Sequence, residues 1–358
     1  MTPTAAPRKS RVLIVDDSAV VRRLLTAALA DEPDIEVVGS AADPIIAADL
    51  IGVHRPDVLT LDLEMPRMDG LTFLRQLMQQ APMPVIVVSS ATQAGSAASI
   101  EALRAGAIDV VAKPNGPHSV GPMGDRLKRR IRALREVKIV RLSPAVAPAP
   151  AAPRRSRLPG DSRRSGLIAI GASTGGTQAI EALLTRMPED CPPIVVVQHM
   201  PANFTRAFAD RLNGVCPMRV VEARGGEPLV RGVAYIAPGD YHMIVERNGV
   251  NLQTRLQQGP ALHHQRPAVD VLFDSVAKIR SVRTVGILLT GMGSDGADGM
   301  VRLRAAGAQT IAEDEQSCVV FGMPKEAIAR GGATHVASLL RMPALIEECF
   351  DRMMRVSA

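Results

Sequence analysis

Three residue types in the second half of the chain, each at the end of an apolar run, could together carry out nucleophilic acyl chemistry. Ser173 lies in "GASTGG", residues 171–176, directly after the run Leu167–Ile170 and directly before the helical stretch "TQAIEALL". Gly171 to Gly175 reads as G-x-S-x-G, the pattern of a nucleophile elbow, and flanking glycines permit a sharp turn. A glycine-rich turn that opens a helix can instead cradle an anion, but this one lacks the G-x-G-x-x-G spacing and the P-loop lysine. A nucleophilic serine needs a general base, itself oriented by a third group. Of the five histidines after residue 166, His199 ends the run "PIVVVQH" and is the candidate base. His242, after "GDY", and His263-His264 read as surface or substrate-facing residues. Asp295, in the glycine-rich segment "LLTGMGSDGADGM" just past Val285–Thr290, supplies a carboxylate. Backbone N–H groups around Met292 are candidate oxyanion donors, and Thr174 is a weaker site candidate. The order Ser, His, Asp is not the Ser, Asp/Glu, His order of α/β hydrolases, so a different fold is expected.

The first half carries a second set. Asp16 and Asp17, then Asp62, Ser89 and Lys113, each follow an apolar run directly. Three converging carboxylates repel one another unless a cation joins them. An all-oxygen set suits Mg²⁺, which uses few carboxylates and keeps several waters. One carboxylate can then accept a phosphoryl group, with the Ser89 hydroxyl and Lys113 ammonium as donors to its oxygens.

Both sets require elements whose ends come together. Before residue 141, β-branched runs at Arg11–Val15, Ile35–Ala41, Val58–Leu61, Pro84–Ser89 and Val110–Ala112 alternate with amphipathic stretches. After residue 165 the alternation restarts with "LIAI", "PIVVVQ", "RVVEA", "VAYIA", "HMIVE", "TVGILLT" and "AQTIAED", and a hairpin is expected near "MIVERNGVNLQTR". Alternating strands and helices predict two doubly wound, mainly parallel, three-layer α/β sheets. In such sheets the functional groups gather at the carboxyl ends of the strands.

The chain is long for one core, with 358 residues and 46% hydrophobic content, so two domains are expected. It has no Trp and only two Tyr, which argues against aromatic platforms for single-stranded nucleic acid. The net charge of +6 is concentrated: residues 141–166, "RLSPAVAPAPAAPRRSRLPGDSRRSG", hold six arginines and one aspartate. This Pro/Ala-rich stretch reads as a solvated linker, with an anionic docking segment as the alternative. No apolar run is long enough for a signal peptide or a membrane span. Four scattered cysteines without a C-x-x-C pair indicate a reduced, cytoplasmic setting.

Residues 11–130 resemble the receiver domain of two-component response regulators, through the acid pair, Asp62, Ser89 and Lys113-Pro114 in that order. The resemblance implies a flavodoxin-like fold, Asp62 as phosphoacceptor, and Mg²⁺ at Asp16, Asp17 and Asp62. It further implies Ser89 and Lys113 as switch residues, a cis Lys113–Pro114 bond, and a chemotaxis histidine kinase as phosphodonor. One position departs: Val110 stands where receivers commonly carry an aromatic. Residues 166–350, through "IGASTGGTQAIEALL", "VVQHMPANFT", "YIAPGDYHM", "AVDVLFDSVA", "LTGMGSDGADGM" and "VVFGMPKEAI", resemble the methylesterase domain of chemotaxis response regulators. That implies a Rossmann-like domain with Ser173 as nucleophile, His199 as base, Asp295 as orienting acid and Met292 N–H as oxyanion donor. The implied substrates are glutamyl methyl esters, and specific glutamines, on methyl-accepting chemotaxis receptors. No cofactor for the esterase, no nucleic acid and no membrane insertion are expected. Residues 141–165 link the two parts, and phosphorylation is expected to relieve inhibition of the esterase. Two rival readings are a DNA-binding regulator, disfavoured by the lack of a helix-turn-helix pattern, and an effector using both glycine-rich loops as nucleotide nests.

Overall fold

The computed structural model describes residues 8–65, 68–114, 120–135, 166–280 and 282–355. The linker expected at 141–165 lies outside them. The chain divides into two compact units on either side of residues 142 and 143.

In the first unit the strands are β1 (Ser10–Val15), β2 (Ile35–Ala41), β3 (Val58–Leu61), β4 (Val85–Ser89) and β5 (Asp109–Ala112). They pair in parallel in the order β2-β1-β3-β4-β5. Helical crossovers between parallel strands, with the order reversing at β1, are the arrangement of flavodoxin-like folds, which carry helices on both faces. The central strands β3 and β4 are buried along their whole length, which is why they read as unbroken apolar runs rather than as alternation. The helices start on side-chain caps. Ser18, Asp43, Asp69 and Thr92 each accept a backbone N–H of the following helix, satisfying donors that would otherwise lack partners.

The second unit contains β6 (Gly166–Ala172), β7 (Ile194–Gln198), β8 (Arg219–Glu222), β9 (Val233–Ile236), β10 (His242–Asn248), β11 (Asn251–Gln257), β12 (Arg283–Leu288), β13 (Gln309–Glu313) and β14 (His335–Ala337). Seven of these form a parallel sheet in the order β14-β13-β12-β6-β7-β9-β8. The expected hairpin is present as the antiparallel pair β10–β11, separate from that sheet. The strand β6 lies between β7 and β12, so the chain leaves it towards one side and returns on the other. Such a reversal is the switch point beside which doubly wound sheets bind their ligands, here at the carboxyl ends of β6, β7 and β12. Ser173, His199 and Asp295 all follow these three strands. With no Trp available, the core is aliphatic, closed by Phe204, Phe208, Phe273 and Phe350, all fully buried. Among the described residues no helix is long and apolar enough to cross a membrane.

Candidate active site and phosphoacceptor site

The nucleophile loop is held from both sides by backbone bonds. Ser173 N–H donates to Thr290 O at 3.0 Å, and Ser173 O accepts Gly176 N–H at 2.7 Å. Gln198, the last residue of β7, adds its side-chain amide to Ser173 O at 2.8 Å. The glycines after the serine are required by space and by backbone angle. Gly175 has φ +78°, and a Cβ on Gly176 would lie 2.2 Å from Gln198 Oε1. The turn is therefore built around Ser173, which is 8% exposed.

His199 follows β7 directly, and its N–H donates to Ala172 O at 3.1 Å. Its ring Nε2 lies 2.7 Å from Asp295 Oδ2, with both side chains buried. The other ring nitrogen, Nδ1, is buried and has no hydrogen-bond partner. His199 is thus bonded to the candidate acid, while the Ser173 hydroxyl makes no hydrogen bond to its ring. Asp295 also accepts Val269 N–H at 2.7 Å and Asp270 N–H at 2.9 Å. These are the opening donors of the helix Val269–Ala277, so the acid caps a helix as well as orienting a histidine. Burial pushes the Asp295 carboxyl up. The His199 bond and the two N–H donors outweigh it and hold the group below the usual carboxylate range.

Met292 follows Gly291, which packs so closely that a Cβ there would lie 2.8 Å from Ser173 Cβ. Among the described residues the Met292 N–H has no hydrogen-bond partner, as an oxyanion donor requires. The Thr174 carbonyl is bonded to the Thr290 hydroxyl at 3.0 Å.

His242 is not at the surface. It is buried, its Nε2 bonds to Pro260 O at 3.1 Å, and its Nδ1 accepts Ala268 N–H at 3.2 Å. Following a turn, it looked exposed; in fact it opens β10, and its ring ties down the segment leading into the helix Val269–Ala277. His263 and His264 are exposed as expected, and His263 reaches Asp270 Oδ2 at 3.1 Å. Asp270 is a buried residue that reading the motifs did not single out. Its Oδ1 accepts Gly299 N–H at 2.6 Å. Burial and the nearby Asp295 push its carboxyl up. The signal was an acidic residue in the first turn of a helix, inside the quoted stretch "AVDVLF".

In the first unit, Asp16, Asp17 and Asp62 bring carboxylate oxygens within 4.8 Å of one another. Lys113 Nζ lies 2.9 Å from Asp16 Oδ2 and 2.8 Å from Asp62 Oδ2. Burial pushes Asp62 up, against the pull of Lys113. Lys113 is held above its ordinary value because the two carboxylates outweigh its own burial. Ser89 is fully buried at the end of β4, with its hydroxyl on Gly95 O at 3.3 Å. Its neighbour Ser90, not singled out in the sequence, bonds to Glu64 at 2.9 Å. Val110 is a buried core residue. The expectation of a cis Lys113–Pro114 bond fails: the cis bond among the described residues is Arg266–Pro267.

The CheB methylesterase family model matches residues 168–346, and the response regulator receiver domain model matches residues 12–120. The protein-glutamate methylesterase/protein-glutamine glutaminase 2 of Syntrophus aciditrophicus is 50% identical over 92% of this chain and 96% of its own length. The chain belongs to the CheB methylesterase family. A second family member, from Methylobacillus flagellatus, is 49% identical over 94% of this chain and 95% of its own. The crystal structure of the Thermotoga maritima CheB methylesterase catalytic domain matches at 39% identity with a TM-score of 0.50. That likeness covers 51% of this chain and 98% of the solved one. The family thus spans both units, with a receiver domain ahead of the catalytic one.

Proposed function

We propose that Ser173, His199 and Asp295 hydrolyse glutamyl methyl esters on chemotaxis receptors, under the control of phosphorylation at Asp62. The observation that carries the esterase reading is the 2.7 Å bond between His199 Nε2 and Asp295 Oδ2, beside the loop that presents Ser173. With Nε2 occupied, Nδ1 is the atom left to act as base. It takes the Ser173 proton as Oγ attacks the ester carbonyl. The tetrahedral oxyanion accepts the Met292 N–H, an interaction whose loss costs about 10²–10³-fold in comparable sites. Collapse breaks the bond to methoxide, which leaves as methanol with the proton from His199. Water, deprotonated by the same nitrogen, then releases the glutamate carboxylate and restores Ser173. A glutamine side chain offers the same carbonyl with ammonia as leaving group, so deamidation needs no additional residue.

Asp16, Asp17 and Asp62 supply the hard oxygen donors that suit Mg²⁺. When bound, such an ion would offset the charge of an incoming phosphoryl group. Asp62 accepts that group from a chemotaxis histidine kinase, and Lys113 is already placed to pair with its oxygens. Ser89 turns from Gly95 to join them. The working boundaries are 11–130 for the receiver, 141–165 for the linker and 166–350 for the esterase. A cytoplasmic location belongs to the same reading, and four free cysteines accord with it.

Methanol release from methylated receptor membranes tests the assignment. Ser173→Ala should release none above the uncatalysed background, and a serine-directed covalent probe should label the parent at Ser173 alone. Turnover by Ser173→Ala near that of the parent would end this reading. Protection from the probe by nucleotide would favour a phosphate nest instead.

A further inference from the structure

Glu313 ends β13 with no exposed surface, and among the described residues it forms no ion pair. Its Oε2 accepts Thr290 N–H at 2.8 Å, while Oε1 is buried without a hydrogen-bond partner. Burial pushes the carboxyl up to about 6, with the Thr290 N–H first, then the nearby Ser317 hydroxyl and Cys318 thiol, pulling the other way. A buried carboxylate with no counter-charge costs folding free energy. Its presence calls for an explanation in terms of what it holds.

It holds Thr290. The Thr290 hydroxyl bonds to Thr174 O at 3.0 Å and accepts Val320 N–H at 2.9 Å. The Thr290 carbonyl accepts Ser173 N–H at 3.0 Å. One residue therefore fixes the backbone of both Ser173 and Thr174, and the chain continues from it through Gly291 to Met292. Moving Thr290 shifts the nucleophile and the oxyanion donor together, and a misplacement of about 1 Å costs on the order of 10²-fold in rate.

We propose that Glu313 is a positioning residue for ester hydrolysis, anchoring Thr290 so that Ser173 and Met292 N–H keep one mutual geometry; this rests on the Ser173 reading above. Glu313 touches no substrate and acts through Thr290. The titratable groups facing it are Asp314 and Cys318 of its own segment. On the far side, β14 sets Ala337 opposite it, and the one titratable residue of that strand, His335, bonds to Gln309 at the other end. On the near side, β12 leads into Thr290.

The test uses the full-length protein and methylated receptor membranes. Glu313→Ala should lower kcat by about 10²-fold with KM changed by less than about twofold, the pattern of an interaction that matters in the transition state. Glu313→Gln keeps the acceptor oxygen and the volume, and should return kcat to within about fivefold of the parent, the difference between a charged and a neutral hydrogen bond. Glutamine cannot titrate. The parent loses stability as pH rises from 4.5 through about 6, because its folded form holds the Glu313 proton longer than the unfolded form does. The melting temperature of Glu313→Gln should therefore gain on the parent across that range. Unchanged kcat in Glu313→Ala, or a loss no larger than its unfolded fraction by circular dichroism, overturns the proposal. So does a Glu313→Gln as inactive as Glu313→Ala. Ser173→Ala run alongside separates the two levels: if it turns over, the Ser173 reading falls and takes the proposal with it. If it is silent while Glu313→Ala is unimpaired, only the role of Glu313 falls.

Discussion

Asp295 serves two neighbours, and its substitution should show both. Its oxygens accept from His199 and from two backbone N–H groups of the helix Val269–Ala277. Asparagine at 295 has one acceptor oxygen for three donors and offers no charge to an imidazolium. Asp295→Asn should reduce methanol release by about 10²–10⁴-fold, with less effect on folding than Asp295→Ala. The pH dependence follows from the depressed carboxyl. The unfolded group takes up its proton first as pH falls, so the stability due to Asp295 is complete above the ordinary aspartate range. It is lost only as pH falls further, through the lowered folded value. Thermal unfolding between pH 3 and 6 should show Asp295→Asn losing its deficit at the acid end. A constant deficit across that range would show that the charge contributes nothing to folding.

Among the elements, those that were buried on both faces were legible as sequence. The strands β6, β7 and β12 present unbroken apolar runs, and Ser173, His199 and Asp295 were readable because each follows one of them. The strand β14 was missed: it has three residues, with Val336 at 52% exposure, so it shows neither a run nor an alternation. Thr290 and Glu313 escaped for another reason. Each acts on backbone groups far along the chain, and no local spacing encodes a bond from β13 to the end of β12. His242 misled because a polar residue after a turn resembles a surface residue until the partner segment at Pro260 is folded against it. The nucleophile turn makes its own prediction. Since a Cβ on Gly176 would meet Gln198 Oε1 at 2.2 Å and Ala172 Cβ at 2.7 Å, Gly176→Ala should displace Gln198 and loosen its hold on the Ser173 carbonyl. Esterase turnover should fall by about tenfold or more, from a shift of a few tenths of an ångström at the nucleophile. Turnover equal to the parent would mean that Gln198 is dispensable.

At the scale of the molecule, the two sites lie in different units and share no strand, so each can be silenced alone. Asp62→Asn should abolish phosphate uptake and leave the basal esterase rate, with no response to a small phosphodonor. A fragment from Gly166 to Ala358 should also ignore phosphodonors and should exceed the unphosphorylated full chain in rate; a slower fragment would mean that the receiver assists the esterase. The excess positive charge belongs mainly to residues 141–166, so it says little about either site. The burial of Ser173 and His199 says more. Ser173 and His199 expose 8% and 4% of their surfaces, so little water reaches them, and a charge developing there is screened less than it would be in open solvent.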